Sequence, residues 1–133
     1  MKNRGPDAMD YKHYKFENKN LYLFHSRLKI IDLHDRSNQP FEKHNRVLIF
    51  NGEIYNFKEI KYLLKKKGYK FNTNSDTEVI LSGYDYYGKK IFPLLNGMWS
   101  IVIFDKKTKK LIFSRDIFGE KPLYLSKINN DLI

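Results

Sequence analysis

Apolar residues come along this chain in short runs separated by charged and turn-forming stretches, and the spacing within those runs predicts the elements. Leu21-Tyr22-Leu23-Phe24 opens a stretch through Leu28 that reads as a strand, with Ile30-Ile31 extending it until Asp32. Val47-Leu48-Ile49-Phe50 is a second strand, followed by the polar pivot Asn51-Gly52-Glu53. From Phe57 to about Lys67 the spacing is helical, with Ile60, Leu63 and Leu64 inward and Gly68 as a left-handed stop; Asn56 and Glu59 stand at capping-box separation. Ser75 and Glu78 repeat that separation and open a second helix through Val79, Ile80, Leu81 and Tyr84 to near Tyr87, ended by Gly88. Met98 to Asp105 and Leu111 to Arg115 form a strand pair across a lysine-rich turn, and Leu123 to Ser126 is a further strand. Asn129-Asn130-Asp131 turns again before Leu132-Ile133 begins another. Met1 to Asn20 and Asp35 to Asn45 are polar, carry Gly5-Pro6-Asp7 and Pro40, and read as loops. Strands, two helices and strands again predict an α+β fold, helices packed on mostly antiparallel sheet.

The chain's 133 residues, 41% hydrophobic, make one domain with one real core. Mean hydropathy of −0.62 and the shortness of the apolar runs argue against a membrane span. No apolar stretch follows Met1-Lys2-Asn3, so a cytoplasmic location is expected. Cysteine is absent, which excludes a disulfide framework, a thiolate zinc site and a cysteine nucleophile from these residues. The formal charge of +10 suits nucleic acid or another anionic partner. The lysines are scattered, however: Lys65-Lys66-Lys67 closes a helix, where cations complement the dipole, and Lys106, Lys107, Lys109 and Lys110 surround Thr108 in a turn. A solvated surface accounts for them, and nucleic-acid binding is the weaker alternative.

The four histidines show neither i,i+4 pairing nor cysteine partners, so no metal site is expected. A phosphate-cradling Gly-x-x-x-x-Gly-Lys loop and a Gly-x-Ser-x-Gly elbow are also absent. Three features stand out: Arg27 at a strand end, Asn51-Gly52-Glu53, and Asp76 at a helix start. Asn-Gly between apolar runs is a hairpin-turn signal, since both residues tolerate positive φ. At a strand end the same pair sets a side-chain amide beside an unobstructed backbone N–H, the donor pair an oxyanion needs. Arg27 has a structural alternative as a surface ion pair, and Asp76 as a first-turn acid. Together, a guanidinium, a donor pair and a carboxylate suit a zwitterionic amino acid with a side-chain carbonyl.

Ordered motifs then give a resemblance. Arg4-Gly5-Pro6-Asp7, His25-Ser26-Arg27-Leu28-Lys29-Ile30-Ile31-Asp32, Gln39-Pro40, Asn51-Gly52-Glu53-Ile54-Tyr55-Asn56 and Ser75-Asp76-Thr77-Glu78 occur in sequence, followed by Gly97-Met98, Arg115-Asp116 and Gly119-Glu120-Lys121-Pro122-Leu123-Tyr124. The set resembles the glutaminase (class II glutamine amidotransferase) domain of glutamine-hydrolysing asparagine synthetase over almost the whole chain. The resemblance implies an N-terminal-nucleophile hydrolase sandwich, mainly antiparallel sheets between helical layers. It also implies a mechanism in which an N-terminal cysteine attacks the glutamine carboxamide with its own α-amino group as base. By matching position, Asn51 and Gly52 would hold the oxyanion. Arg27 would pair with the substrate α-carboxylate, Asp76 with Glu53 would take the α-ammonium, and the backbone of Leu28, Lys29, Ile30 and Ile31 would line the pocket. The ammonia would pass to an ATP- and Mg-using synthetase domain that amidates aspartate, and the parent would form a homodimer.

Only Met1-Lys2-Asn3 precede Arg4, and no cysteine is present. Residues 1–133 are therefore expected to be a fragment of such a domain, incomplete at the N-terminus, without the nucleophile and without the synthetase domain. The chain alone is expected to be inactive. A glutamine-sensing pseudoenzyme is the alternative within this resemblance, and a basic nucleic-acid-binding module the alternative outside it.

Overall fold

The computed structural model describes residues 3–17, 19–129 and 131–133. Met1, Lys2, Asn18 and Asn130, which fall in the expected N-terminal loop and the expected last turn, lie outside the described residues. The elements, in order, are β1 (Ala8–Phe16), β2 (Lys19–Arg27), β3 (Phe41–Lys43), β4 (Arg46–Ile54), α1 (Phe57–Lys66), α2 (Asp76–Tyr87), β5 (Gly97–Asp105), β6 (Lys110–Arg115), β7 (Lys127–Ile128) and β8 (Asp131–Leu132), with 3-10 turns at Asp35–Ser37 and Gly88–Leu94. β3-β4-β5-β6 form one antiparallel sheet; β1-β2 and β7-β8 are separate antiparallel pairs. This is the α+β architecture the pattern predicts.

Side-chain alternation along β4 sorts the core into two layers. Leu48, Phe50 and Ile54 face the helices and pack with Ile60, Leu64, Val79, Ile80 and Leu81. Val47 and Ile49 face the β1-β2 pair and pack with Leu23 and Phe104. The second layer is smaller and covers only one end of the sheet. At the other end its place is taken by polar side chains, and there the site lies.

Several elements differ from expectation, each for a physical reason. The N-terminal segment expected as loop holds β1, which pairs with β2 residue for residue from Ala8↔Arg27 to Phe16↔Lys19. Lys12, Asp10 and Lys15 obscure its alternation in sequence. β2 stops at Arg27 instead of running through Ile30-Ile31, because the Arg27 guanidinium draws the following carbonyls back around itself. The expected loop Asp35 to Asn45 contains β3 and a 3-10 turn. Asn51-Gly52 is not a turn: both residues lie inside β4, opposite Ser100 and Trp99. A Cβ on Gly52 would fall on the Met98 carbonyl, so glycine there permits close approach of β4 and β5.

In α1 the buried residues are Ile60 and Leu64, while Leu63 is 50% exposed at the edge of the apolar stripe. Asn56 caps nothing; its side chain instead accepts from Asn96 N–H (2.9 Å) and donates to the Leu94 carbonyl (2.9 Å). Ser75 does cap α2, accepting from Thr77 N–H (3.1 Å), but Glu78 does not complete the box. Its buried carboxylate accepts from Thr73 N–H (2.7 Å), Thr73 Oγ1 (2.7 Å), Asn72 N–H (3.0 Å) and Lys43 Nζ (2.8 Å). Leu123 to Ser126 forms no strand; pairing begins only at the mutual Ser126 and Ile133 hydrogen bonds. The contrast in α1 is testable by chemical denaturation. Leu64→Ala costs about 2–5 kcal/mol, whereas Leu63→Ala costs less than about 1 kcal/mol; equal costs would place the apolar stripe elsewhere.

Candidate functional site

β3 is only three residues long, and its pairing with β4 ends at Phe41↔Leu48. Beyond Leu48, β4 has a neighbouring strand on one side alone among the described residues. Tyr55 N–H donates to Asn96 and Lys106 N–H to Asn45, so the odd-numbered residues of β4 face β5. The N–H groups of Phe50, Gly52 and Ile54 therefore point to the side where β3 has stopped. Two are taken by side chains: Phe50 N–H donates to Gln39 Oε1 (2.6 Å), and Ile54 N–H to Asp76 Oδ2 (3.1 Å). That of Gly52, between them, is directed to a cavity of 620 Å³.

Asn51 and Glu53 extend the inter-sheet face that Val47 and Ile49 occupy further along, and both line this cavity. From the facing pair, β2 contributes His25 and Arg27, the polar continuation of the Leu21-Leu23 row. α2 contributes Asp76 at its first turn. The structure thus brings Arg27, Leu28, Ile30, Ile31, Asn51, Gly52, Glu53 and Asp76 around one space. Lys29 is the exception among the expected residues. Its N–H donates to Asp7 Oδ2 (2.8 Å), and its ammonium pairs with Asp35 (2.7 Å) instead of entering the cavity.

Arg27 is 6% exposed and spends its four terminal N–H groups on its own loop. Nη1 donates to the His34 carbonyl (3.1 Å) and Asn38 Oδ1 (2.8 Å); Nη2 donates to the carbonyls of Ile31 (3.0 Å) and Asp32 (2.6 Å). The guanidinium is therefore the loop's organiser as well as a cation beside the cavity. Burial lowers its pKa, and the surrounding carboxylates, led by Asp32, oppose that. Asp32 closes the loop against α2 by accepting from Asn74 N–H (2.7 Å). Burial alone would raise the Asp32 carboxyl, but this bond and others hold it far below the usual carboxylate range.

Asp76 behaves oppositely. It is 4% exposed, and burial pushes its pKa up; bonds from the N–H groups of Ile54 and Thr77 and from the Ser75 hydroxyl pull it down, and the Glu53 charge adds to the rise. Two carboxylates that repel one another beside a cavity favour a cation between them. His25 Nε2 lies 3.2 Å from the Phe50 carbonyl, and burial keeps the imidazole toward its neutral form. Just past the end of β6, Asp116 accepts from Trp99, Glu120 and Lys121 N–H, which outweigh the burial that would raise it and bring its carboxyl down to about 2. Gln39, His25, Arg4 and the 120–122 segment line the cavity without having been singled out for it in sequence. All of them stand in the ordered motifs, and that membership is the signal that marked them.

A family model described as a glutamine amidotransferase domain matches residues 1–133. The chain is 41% identical over 131 residues to asparagine synthetase [glutamine-hydrolyzing] 1 of Bacillus subtilis, covering 97% of this chain and 20% of that protein. It is 36% identical over 149 aligned residues to putative asparagine synthetase [glutamine-hydrolyzing] 2 of Methanocaldococcus jannaschii, covering 100% of this chain and 28% of that one. The chain thus spans between a fifth and a third of the length of these relatives. Among solved structures, the glutamine phosphoribosylpyrophosphate amidotransferase of B. subtilis, determined with ADP and GMP, superposes with a TM-score of 0.71 over 84% of this chain and 26% of that one. At 24% identity that likeness shows a shared fold. The chain belongs to the glutamine amidotransferase domain family, of the class II, N-terminal-nucleophile kind.

Proposed function

We propose that the cavity binds L-glutamine and that the chain is the glutaminase part of a glutamine-dependent asparagine synthetase. One observation carries this reading. A buried guanidinium, a repelling carboxylate pair and a side-chain amide beside a glycine N–H within β4 border the same space. Each suits one end of glutamine: the Arg27 side the α-carboxylate, Asp76 and Glu53 the α-ammonium, Asn51 and Gly52 the carboxamide oxygen as it becomes an oxyanion. Ammonia released there would serve an ATP- and Mg-dependent amidation of aspartate on a separate synthetase domain, in a homodimeric parent.

Hydrolysis needs a nucleophile, and this chain has no cysteine. The chain therefore binds glutamine without turning it over. A glutamine-sensing module is the second reading. Both agree on the ligand and differ on whether hydrolysis appears once a nucleophile-bearing segment is supplied.

Calorimetric titration with glutamine tests the ligand. Binding is expected, together with a rise in melting temperature that Arg27→Ala abolishes, and with no ammonia released; ammonia above the contaminant background would contradict binding without turnover. The pH dependence follows from Asp76. A carboxyl whose folded pKa lies above 3.8 takes up its proton earlier as pH falls. The charged form attracts the ammonium, so glutamine affinity falls on acidification before an ordinary aspartate would titrate. Asp76→Asn removes that pH dependence and weakens binding by about 2 kcal/mol or more.

A further inference from the structure

One wall of the cavity, the 120–122 segment, has no ligand-binding role in the reading above, and a single carboxylate holds it. β6 ends at Arg115, and Asp116, 4% exposed, accepts from the N–H groups of Trp99 (3.1 Å), Glu120 (2.9 Å) and Lys121 (3.1 Å). Gly119 N–H donates to the Asp116 carbonyl (3.1 Å). Gly119 has φ +69°, and a Cβ there would fall on the Arg115 guanidinium, so the chain doubles back tightly at this point. The turn delivers Glu120, Lys121 and Pro122 to the same cavity as Arg27 and Asp76. Lys121 is partly buried, and its ammonium has no acceptor among the described residues.

Arg27, by contrast, has committed its four terminal N–H groups to main-chain carbonyls and Asn38. A carboxylate entering the cavity meets that charge but few free donors on it. We propose that Lys121 is a ligand-binding residue of the cavity, the cation that supplies free donors to the α-carboxylate of the bound amino acid, with Asp116 as the positioning residue that holds it there. This rests on the amino-acid reading of the site given above. Arg4 also lines the cavity, but it is exposed, and no buried carboxylate fixes its main chain.

The test is calorimetric titration of the full chain and its variants, each checked as folded by circular dichroism. L-glutamine and L-glutaminamide, whose α-carboxylate is replaced by an amide, are the two ligands. Lys121→Gln is expected to weaken glutamine binding about tenfold and to leave glutaminamide binding unchanged; Lys121→Arg keeps most of the affinity. Asp116→Asn weakens glutamine to a similar extent. Asp105→Asn is the control for stability alone, because Asp105 holds the Thr108 turn (2.9 Å) at the opposite end of β5. It should lower the melting temperature without changing affinity. Equal glutamine affinity in the parent and Lys121→Gln, or an equal loss with both ligands, overturns the assignment of Lys121 while leaving the glutamine site standing. If Asp105→Asn weakens glutamine as much as Asp116→Asn does, Asp116 has no positioning role. A parent chain that binds no glutamine overturns the amino-acid reading and this assignment with it.

Discussion

The early end of β3 is the constraint from which the site follows. A strand that loses its neighbour at mid-length leaves every second N–H without a ladder partner, and buried N–H groups do not stay unpaired. β4 meets this with side chains: Gln39 reaches Phe50, and Asp76 reaches Ile54 from the first turn of α2. Between them Gly52 can have no side chain, since β5 approaches too closely, so its N–H is left open toward the cavity. The opening in the ladder and the opening in the inter-sheet core coincide. A pocket with a backbone donor in its wall is the consequence.

Much of what looks like chemistry in the motifs is, in the fold, the holding of loops. Asp7 accepts from Lys29 N–H, Asp32 from Asn74 N–H, Glu78 from Asn72 and Thr73 N–H, and Asp116 from three N–H groups. Every one of these carboxylates closes a segment that borders or supports the cavity. Their position explains why acids recur at fixed places in the ordered motifs, while Asp76 and Glu53 stand beside the ligand space as a repelling pair. A carboxylate can collect several N–H groups at once, and hydrogen bonds to a charged acceptor are the stronger kind. Loops built this way have fixed walls without needing regular structure.

The helices, β4, β5 and β6 were legible because they bury a continuous apolar face whose period shows in sequence. β1 was not, because its buried face, with Tyr14 and Phe16, is interleaved with Lys12, Asp10 and Lys15 on a thin, partly open layer. The Asn51-Gly52 pair shows the limit of local rules. Dipeptide preference points to a turn, but the pairing of Gly52 with Trp99 depends on a segment nearly fifty residues away (about that separation sets the cost of loop closure). Leu63 failed for a smaller reason: the face of α1 that meets α2 and the sheet is narrow, and Leu63 lies at its edge. Arg27 was legible as a residue that matters, yet nothing in its neighbourhood announced that its donors would turn back onto His34, Ile31 and Asp32.

The charge of the chain and the charge of the site are separate matters. The strands β1, β2, β4 and β5 all run between two ends of the molecule, one holding the cavity and the other holding hairpin turns rich in lysine. At the turn end Glu42 is shared by Lys12 and Lys106, and Asp105 pairs with Arg46. At the cavity end Arg4, Arg27 and Lys121 stand against Glu53, Asp76 and Glu120, three cations to three carboxylates. A polyanion gains nothing from a balanced cavity, because each phosphate drawn to a cation meets a carboxylate close by. A zwitterion gains from both signs at once, provided its two charges are spaced as the wall's are. The excess of ten positive charges therefore resides outside the cavity, and the net charge of the chain is no guide to what the cavity holds.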